Sequence, residues 1–393
     1  MSDVPVAFYT PLKHPEEQEP SGDREIARGL VHALRTGGYA PELASRLMTW
    51  RRRFDPGEAV RVERRAAVVA ATLVRRYRRR PPAARPRLWM SYQNYHRCPD
   101  LVGPIVATAL DVPYVLVDSA LSRSSRRTPF RPWVSAARLA VRRADLVFAM
   151  SPRDVPRLAA LRGRRFAAER IRLLPAAVDT GRYAASPETR ARHRTALAAR
   201  VAAGDGPLLL CVAMMRAADK LDSYRLLAEA LAGVSAPWRL VVVGDGPDRA
   251  AVVSALGRLP PERVALAGAL EPEALPAFYL GADLFVFPGL GDALGLVYLE
   301  AAAAGLPVVA CAGPGPTTMV APGGSVLAEP TAPAFGAAVA ALLSDPARRA
   351  AMGEAGRHWI AAERTRETFA ARLASGLSLL SLGPPGVAGG PDR

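Results

Sequence analysis

Apolar residues in this chain fall into short runs, bounded by Gly, Pro or polar residues, that alternate with longer segments whose apolar positions recur at helical spacing. Runs of the first kind read as parallel strands buried on both faces, and segments of the second as the helices that cover them. Val4 to Tyr9 is the first run. A long loop from Thr10 to Gly22 follows, and Ser21-Gly22-Asp23-Arg24 opens a helix with Ile26, Leu30, Val31 and Leu34 on one face and Gly37-Gly38 as its stop. Strands are predicted next at Leu88 to Met90, Tyr114 to Val117 and Ala144 to Ala149, with helices at Glu58 to Tyr77 and Pro99 to Leu110 and a helix cap at Ser151 to Asp154. After a polar helix at Ser186 to Ala203, a second series of runs occupies Leu208 to Ala213, Trp238 to Val243, Val264 to Gly268, Phe285 to Phe287 and Pro307 to Ala310. Helices are expected between and beyond them at Ser223 to Ala232, Glu273 to Ala282, Gly295 to Ala304, Ala332 to Leu343, Asp345 to Trp359 and Arg364 to Leu380. The fold class is therefore α/β, with two doubly wound Rossmann-like domains, a number that also suits 393 residues.

In such sheets ligands sit at the carboxyl ends of the strands. The richest loop of that kind reads Phe285-Val-Phe-Pro288-Gly-Leu-Gly-Asp292-Ala-Leu-Gly295 and runs into a helix that carries Glu300. The first turn of a helix exposes N–H groups with no intrahelical partner, at the positive end of the macrodipole, so it suits a phosphate group. Asp292 and Glu300 flank that anion site, where each carboxylate can accept hydroxyl hydrogen bonds on either side of a diphosphate.

Asp292-Ala293-Leu294-Gly295, Glu300-Ala301 and Gly305-Leu306-Pro307-Val308 resemble the nucleotide-sugar signature of glycosyltransferase family 4, Glu-Gly-Phe-Gly-x-x-x-Leu-Glu-Ala followed by a Gly-x-Pro-Val strand. The resemblance implies the GT-B architecture, two domains facing a cleft, with the donor held by the C-terminal domain and the acceptor by the N-terminal one. It implies that Asp292 binds hydroxyls of the transferred sugar, Glu300 the ribose, and the amides of Ala293, Leu294 and Gly295 the diphosphate. Asp292 departs from the pattern by one methylene, which shortens its reach by about 1.5 Å. Arg216 and Lys220, in the loop after the Leu208 strand, take the places of a family Arg and Lys that neutralise the diphosphate. Gly244-Asp245-Gly246-Pro247 is similar to a family turn near the nucleotide base, and Ser21-Gly22 stands in a loop that is often glycine-rich. His96 stands at the end of a strand where a family His points toward the transferred sugar, with Tyr95 or Asn94 as the alternative occupant. Ala312 to Val320 aligns with a loop near the nucleotide, and Ile171 to Asp179 with the strand before the interdomain linker. The resulting domain plan has an acceptor-side domain at 1–185, a linker at 186–206 and a donor domain at 207–362. A helix at 363–381 is expected to pack back on the N-terminal domain, ahead of a disordered tail at 382–393.

Charge adds a second theme. The net charge is +16, and residues 1–185 hold 34 Lys and Arg against 17 Asp and Glu, while the remainder is nearly balanced at 18 against 19. Such a field attracts phosphates and anionic membranes. The helix at Glu58 to Tyr77, with Arg61, Arg64, Arg65, Arg75 and Arg76, reads in either of two ways. It is an element that meets an anionic membrane surface or acidic acceptor, with Trp50 and Phe54 as interfacial anchors, or a surface helix with a solvated basic face. A sequence this rich in Ala, Arg, Gly and Pro also carries the imprint of a biased genome. Aromatics are too sparse among the arginines for stacking on bases, so no nucleic acid partner is expected. No apolar run approaches the ~20 residues of a membrane span, and the N-terminus lacks the features of a signal peptide. A cytoplasmic location, peripheral on the inner face of the cell membrane in the membrane reading, is expected. Cys98, Cys211 and Cys311 show no paired spacing and read as packed, reduced thiols. With no metal-ligand cluster in the sequence, neither an essential metal nor a cofactor is expected.

These readings converge on retaining transfer of a hexosyl group from a UDP- or GDP-sugar to a hydroxyl of a glycan, lipid-linked or small-molecule acceptor, in glycolipid, polysaccharide or other cell-envelope glycan synthesis. In that scheme His96, Asp292, Arg216 and Lys220 are catalytic, and Ser21, Gly22, Gly244, Gly246, Ala293, Leu294, Gly295 and Glu300 hold the donor. The rivals are an epimerase or phosphorylase of the same architecture, a degenerate transferase, and a basic membrane- or nucleic-acid-binding protein without turnover.

Overall fold

The computed structural model describes residues 3–19, 21–120, 128–162, 170–201, 206–380 and 382. The chain divides into two units, one made of residues up to Ala176 together with those from Glu367 onward, the other of Ala177–Arg366. Each is organised on one six-stranded sheet whose neighbouring strands all run parallel. Of the tail expected at 382–393, all but residue 382 lies outside the described residues.

The first sheet takes in β1 (Val4–Tyr9), β2 (Tyr39–Leu43), β3 (Leu88–Tyr92), β4 (Tyr114–Val117), β5 (Leu146–Ala149) and β6 (Ile171–Leu173), in the order β2-β1-β3-β4-β5-β6. The chain leaves β1 toward β2 and then returns across it to β3, so the topological switch lies between β1 and β3. Helix α1 (Gly22–Thr36) follows β1, and α2 (Pro56–Arg78) covers one face through Ala66, Ala70, Leu73 and Tyr77, which pack against Tyr9, Trp89 and Tyr114. Helix α3 (Gly103–Leu110) begins four residues later than its apolar pattern suggested. The reason is Asp100, a buried carboxylate that accepts from the N–H groups of Val102 and Gly103 and from the hydroxyls of Ser91 and Tyr114 at 2.5–3.0 Å. It fixes the start of the helix from outside. Helix α4 (Arg131–Arg143) was not anticipated, because alanines at 137 and 140 carry much of its buried face. Phe54, expected at a membrane interface, instead packs with Phe130 and Trp133, while Trp50 is 39% exposed. The unit is completed by α5 (Val155–Arg162) and by a helix from the C-terminus, whose Phe369, Leu373 and Leu377 are buried and whose Gly376 lies against Phe148 of β5.

The second unit opens with α6 (Pro187–Ala198), the helix expected as a linker. It packs on α9 (Leu275–Gly281), its Arg194 pairs with Asp283, and its Arg190 donates to the Ala304 carbonyl at 2.7 Å. Its sheet contains β7 (Leu208–Val212), β8 (Arg239–Val243), β9 (Val264–Gly268), β10 (Leu284–Val286), β11 (Val308–Cys311) and β12 (Ser325–Ala328) in the order β12-β11-β10-β7-β8-β9. The switch here falls between β7 and β10, so the loops after these two strands lie side by side. Helices α7 (Asp219–Ala232), α8 (Arg249–Leu256), α10 (Leu296–Ala304), α11 (Pro314–Met319), α12 (Ala332–Leu343) and α13 (Pro346–Glu363) flank it, and α14 (Arg366–Leu377) is the C-terminal helix described above. The Ala312 to Val320 segment, expected as a loop, forms α11. Val178 N–H donates to the Arg364 carbonyl at 2.9 Å, so the chain enters and leaves this unit side by side.

Candidate active site

At the switch of the second sheet two loops meet. The loop after β7 ends in α7, which starts at Asp219, four residues before the expected Ser223, so Lys220 lies in a first helical turn and not in a loop. The N-cap of α7 is Ala218 with φ 61° and ψ −131°, a region L residues rarely enter, and strain of this kind persists where the surroundings impose it. Two links bind this turn to the glycine-rich loop after β10. Ser223 Oγ donates to the Asp219 carbonyl at 2.7 Å and accepts from Leu290 N–H at 2.9 Å. Lys220 Nζ meets both oxygens of Asp292, at 2.7 and 2.9 Å, and sits 4.7 Å from the centre of the Phe287 ring.

Asp292 is 8% exposed. Burial pushes its carboxyl up, and the Lys220 ammonium pulls it back, against a small opposing effect from Asp219. The short acid that departs from the family pattern is thus matched to a lysine at salt-bridge distance. Gly295 is the N-cap of α10, and among the described residues no group accepts from the N–H of Ala293, Leu294 or Gly295. Three consecutive amides therefore remain free directly before the positive end of a helix. On the next turn Glu300 is half-buried, and Tyr279 Oη donates to its Oε2 at 2.7 Å; Tyr279 in turn stacks on Phe285 and meets Tyr183 edge-on.

The remaining expected donor residues of this unit follow β7 and β8. Arg216 is exposed and makes no hydrogen bond or ion pair among the described residues. Its neighbour Met215 is fully buried, held by Asp245 and Asp248 backbone groups. Gly244 and Gly246 have φ of 141° and 157°, and a Cβ on either would strike the carbonyl of Ala213 or Met215. Their requirement for glycine comes from the close approach of the β8 turn to the β7 loop, which they template.

In the first unit Ser21 is the N-cap of α1 and Gly22 its first residue. Ser21 Oγ accepts from Lys13 Nζ at 2.7 Å, and Lys13 also pairs with Asp23 at 2.7 Å. His96 lies in the turn after β3, half-buried and edge-on to Tyr95 and Phe130, with burial and then Arg97 lowering its pKa. The structure packs its ring against Tyr95 and Phe130. Sequence reasoning missed Ser223, Tyr279 and Phe287, which position Leu290, Glu300 and Lys220. Only Ser223 left a signal, a hydroxyl four residues after an acidic residue at a helix start. Among the described residues no three His, Cys, Asp or Glu side chains converge as metal ligands, and no helix is long and apolar enough to cross a membrane.

Residues 206–345 match the family described as glycosyl transferases group 1. The 2-deoxystreptamine glucosyltransferase of Streptomyces kanamyceticus is 32% identical over 71% of this chain and 72% of its own length. The chain belongs to the group 1 glycosyl transferases. Another relative, the GDP-mannose-dependent alpha-(1-6)-phosphatidylinositol monomannoside mannosyltransferase of Mycolicibacterium smegmatis, is 38% identical over 62% of this chain. The match spans 65% of that relative's length, and 54% of the corresponding Mycobacterium tuberculosis protein. Anabaena HepE, solved with UDP, shares the fold at a TM-score of 0.73 and 17% identity, over 96% of this chain and all of that one. Sucrose-phosphate synthase of Thermosynechococcus elongatus does so at 0.71 and 19%, over 96% and 98%. The two Rossmann-like units of this group 1 member are thus those of the GT-B glycosyltransferases.

Proposed function

We propose that the protein is a retaining transferase of the family 4 type, moving a hexosyl group from a nucleoside diphosphate sugar to a hydroxyl acceptor. The observation that carries this reading is the row of free amides at Ala293, Leu294 and Gly295 in front of α10, with Lys220 and Asp292 on one side and Glu300 on the other. Amides and a helix N-terminus stabilise the charge that gathers on a departing diphosphate, and preorganised dipoles of this kind supply a large share of catalysis. Glu300, fixed by Tyr279, takes the ribose hydroxyls. Asp292, with Lys220 bound across its carboxylate, orients the sugar, and the same lysine adds positive charge beside the diphosphate.

A GDP-sugar, with mannose the first candidate, is supported by the mannosyltransferase relatives named for that donor. UDP is the competitor, because HepE was solved with it. The basic helix α2, with Arg61, Arg64 and Arg65 beside exposed Val60 and Val68, supports docking on an anionic membrane surface. A thermal-shift series with GDP, UDP, ADP and dTDP, with Glu300→Ala as control, tests the donor site, since a ligand of the folded state alone raises Tm. A rise with GDP that disappears in the variant supports the reading. No rise with any nucleotide would sink it.

A further inference from the structure

Strand β2 is the outermost of the first sheet, and a groove lies between it and α1, on the side of β1 away from the switch. The groove encloses about 870 Å³, a volume typical of small-molecule sites. It does not stop at the sheet edge, since His32 and Arg35 line it about 15 to 20 Å along α1 from the start of that helix. Cationic groups dominate its wall: Arg28, Arg35 and Arg46 stand against the one lining carboxylate, Glu16, beside the rings of His14 and His32. Part of that wall is firmly built. Arg28 donates to the carbonyls of Pro15 and Glu17 at 2.9 and 2.8 Å, and buried Arg24 donates to those of His14 and Glu19, so the loop after β1 is fastened to α1. His14 is thereby held 3% exposed, and its Nδ1 has no hydrogen-bond partner among the described residues. Buried polar groups normally have one. Glu16 Oε2 lies 3.8 Å from that nitrogen, too far for a hydrogen bond, and the same oxygen pairs with Arg46 Nη2 at 2.6 Å. An exposed carboxylate thus stands between an exposed guanidinium and a buried imidazole and satisfies only the first.

We propose that this groove binds a small phosphate monoester, whose phosphate takes the place of the Glu16 carboxylate between Arg46 and His14 and whose organic body runs along α1 toward His32 and Arg35. An outside ligand can reach that place because the Glu16 side chain that fills it is itself exposed and sits on a loop. Charge selects the class. Glu16 is already a carboxylate tethered beside Arg46, so another carboxylate gains nothing by replacing it. A monoester brings close to two negative charges at neutral pH and three acceptor oxygens, enough to keep Arg46 and to accept the Nδ1 proton of His14 as well. Arg28 is paired with Glu25, whereas Arg35 and His32 have no side-chain partner among the described residues and are left for the rest of the molecule. No group of the donor site takes part.

The test is calorimetric titration of the full chain with ribose 5-phosphate at about pH 7.5, where the monoester is mostly doubly charged, with ribose as the control. Arg46→Gln should weaken binding roughly tenfold, and Glu16→Gln, which removes the competing charge, should strengthen it several-fold. Both side chains are exposed, and an unchanged Tm without ligand checks that each variant folds. A merely structural role for the Glu16–Arg46 pair would move the two variants in the same direction. Ribose 5-phosphate that binds no better than ribose, or that Glu16→Gln binds no better than wild type does, would overturn the site. Vesicles carrying phosphatidic acid, a monoester on a lipid, form the second arm. Vesicle binding that rises in Glu16→Gln and falls in Arg46→Gln, with ribose 5-phosphate ignored, would assign the groove to a headgroup and overturn the small ligand.

Discussion

The two switch regions share a topology and differ in what they present. In the second unit the site is made chiefly of backbone: a glycine-rich loop, three free amides and a helix end, with Lys220 and Asp292 locked together beside them. The first presents side chains instead, Asp23, Gln93, Asp118, Tyr92 and Thr10, with Gln93 and Asp118 on left-handed backbone. Backbone amides point one way and suit an anion; carboxylates, amides and hydroxyls together both give and take hydrogen bonds. Lysine usage marks the same two places. Of 52 cationic residues only Lys13 and Lys220 are lysines, and each sits against an aspartate at a switch region. A compact ammonium fits between close groups where a planar guanidinium fork does not.

The largest effect that would break this comparison is at Lys220. Lys220→Met removes the cation and leaves Asp292 buried without its partner, so turnover should fall on the order of 10²- to 10³-fold. Lys220→Arg should restore only part of it, as read by initial rates with a GDP-sugar. Unchanged turnover in Lys220→Met would mean the backbone site acts without its ion pair. Asp292→Glu sharpens the point: the longer acid must either displace Lys220 or reach further into the sugar. A drop in kcat with folding intact would show that the shorter acid is tuned to its own donor, and a rise would mark a weakened transferase.

The side-chain cluster of the first unit should reveal itself through pH. Asp118 has an ordinary value of 3.8 and a folded value of about 7, set by burial and by Asp23 and Asp154, with Lys13 compensating Asp23. The folded state keeps a proton that the unfolded chain releases. The associated stability is complete below about pH 4 and is lost as pH rises to about 7. Urea unfolding should show wild type losing ground to Asp118→Asn across that window, with a constant gap above it; a gap that stays flat throughout would refute the raised carboxyl. Smaller still, Tyr279→Phe frees Glu300 from its anchor and should weaken nucleotide binding several-fold, about 1 kcal/mol, by calorimetry. The smallest effect on the transfer itself belongs to α2, outside both sites. Arg61→Glu with Arg65→Glu should lower cosedimentation with phosphatidylglycerol vesicles, about 1 kcal/mol per charge, and leave turnover on a soluble acceptor unchanged.

Much of this was legible because local rules sufficed. The runs at Val4, Tyr114, Leu208 and Val264 became strands at the expected places, since a buried parallel strand is little more than a short apolar run between breakers. The Asp292 to Glu300 segment announced its turn and helix for the same reason. Strands β2 and β12 went unread: Tyr39–Leu43 contains Pro and Glu, and Ser325–Ala328 is only partly buried. Helix α3 was placed too early because a carboxylate buried by tertiary contacts, Asp100, decides its first turn.

The sequence by itself determined the α/β pattern, the two strand series, the glycine-rich turn before a helix and the uneven charge, all of which depend on residues within a turn or a strand of one another. Only the tertiary structure decided that Lys220 answers Asp292, 72 residues away, that Gln93 joins Asp23 across 70, and that His96 belongs to an aromatic cluster. Parallel sheets cause that division. Their crossovers carry each strand end to a neighbour far off in sequence, so the residues that share a sheet edge are brought together by strand order, and no local pattern records it.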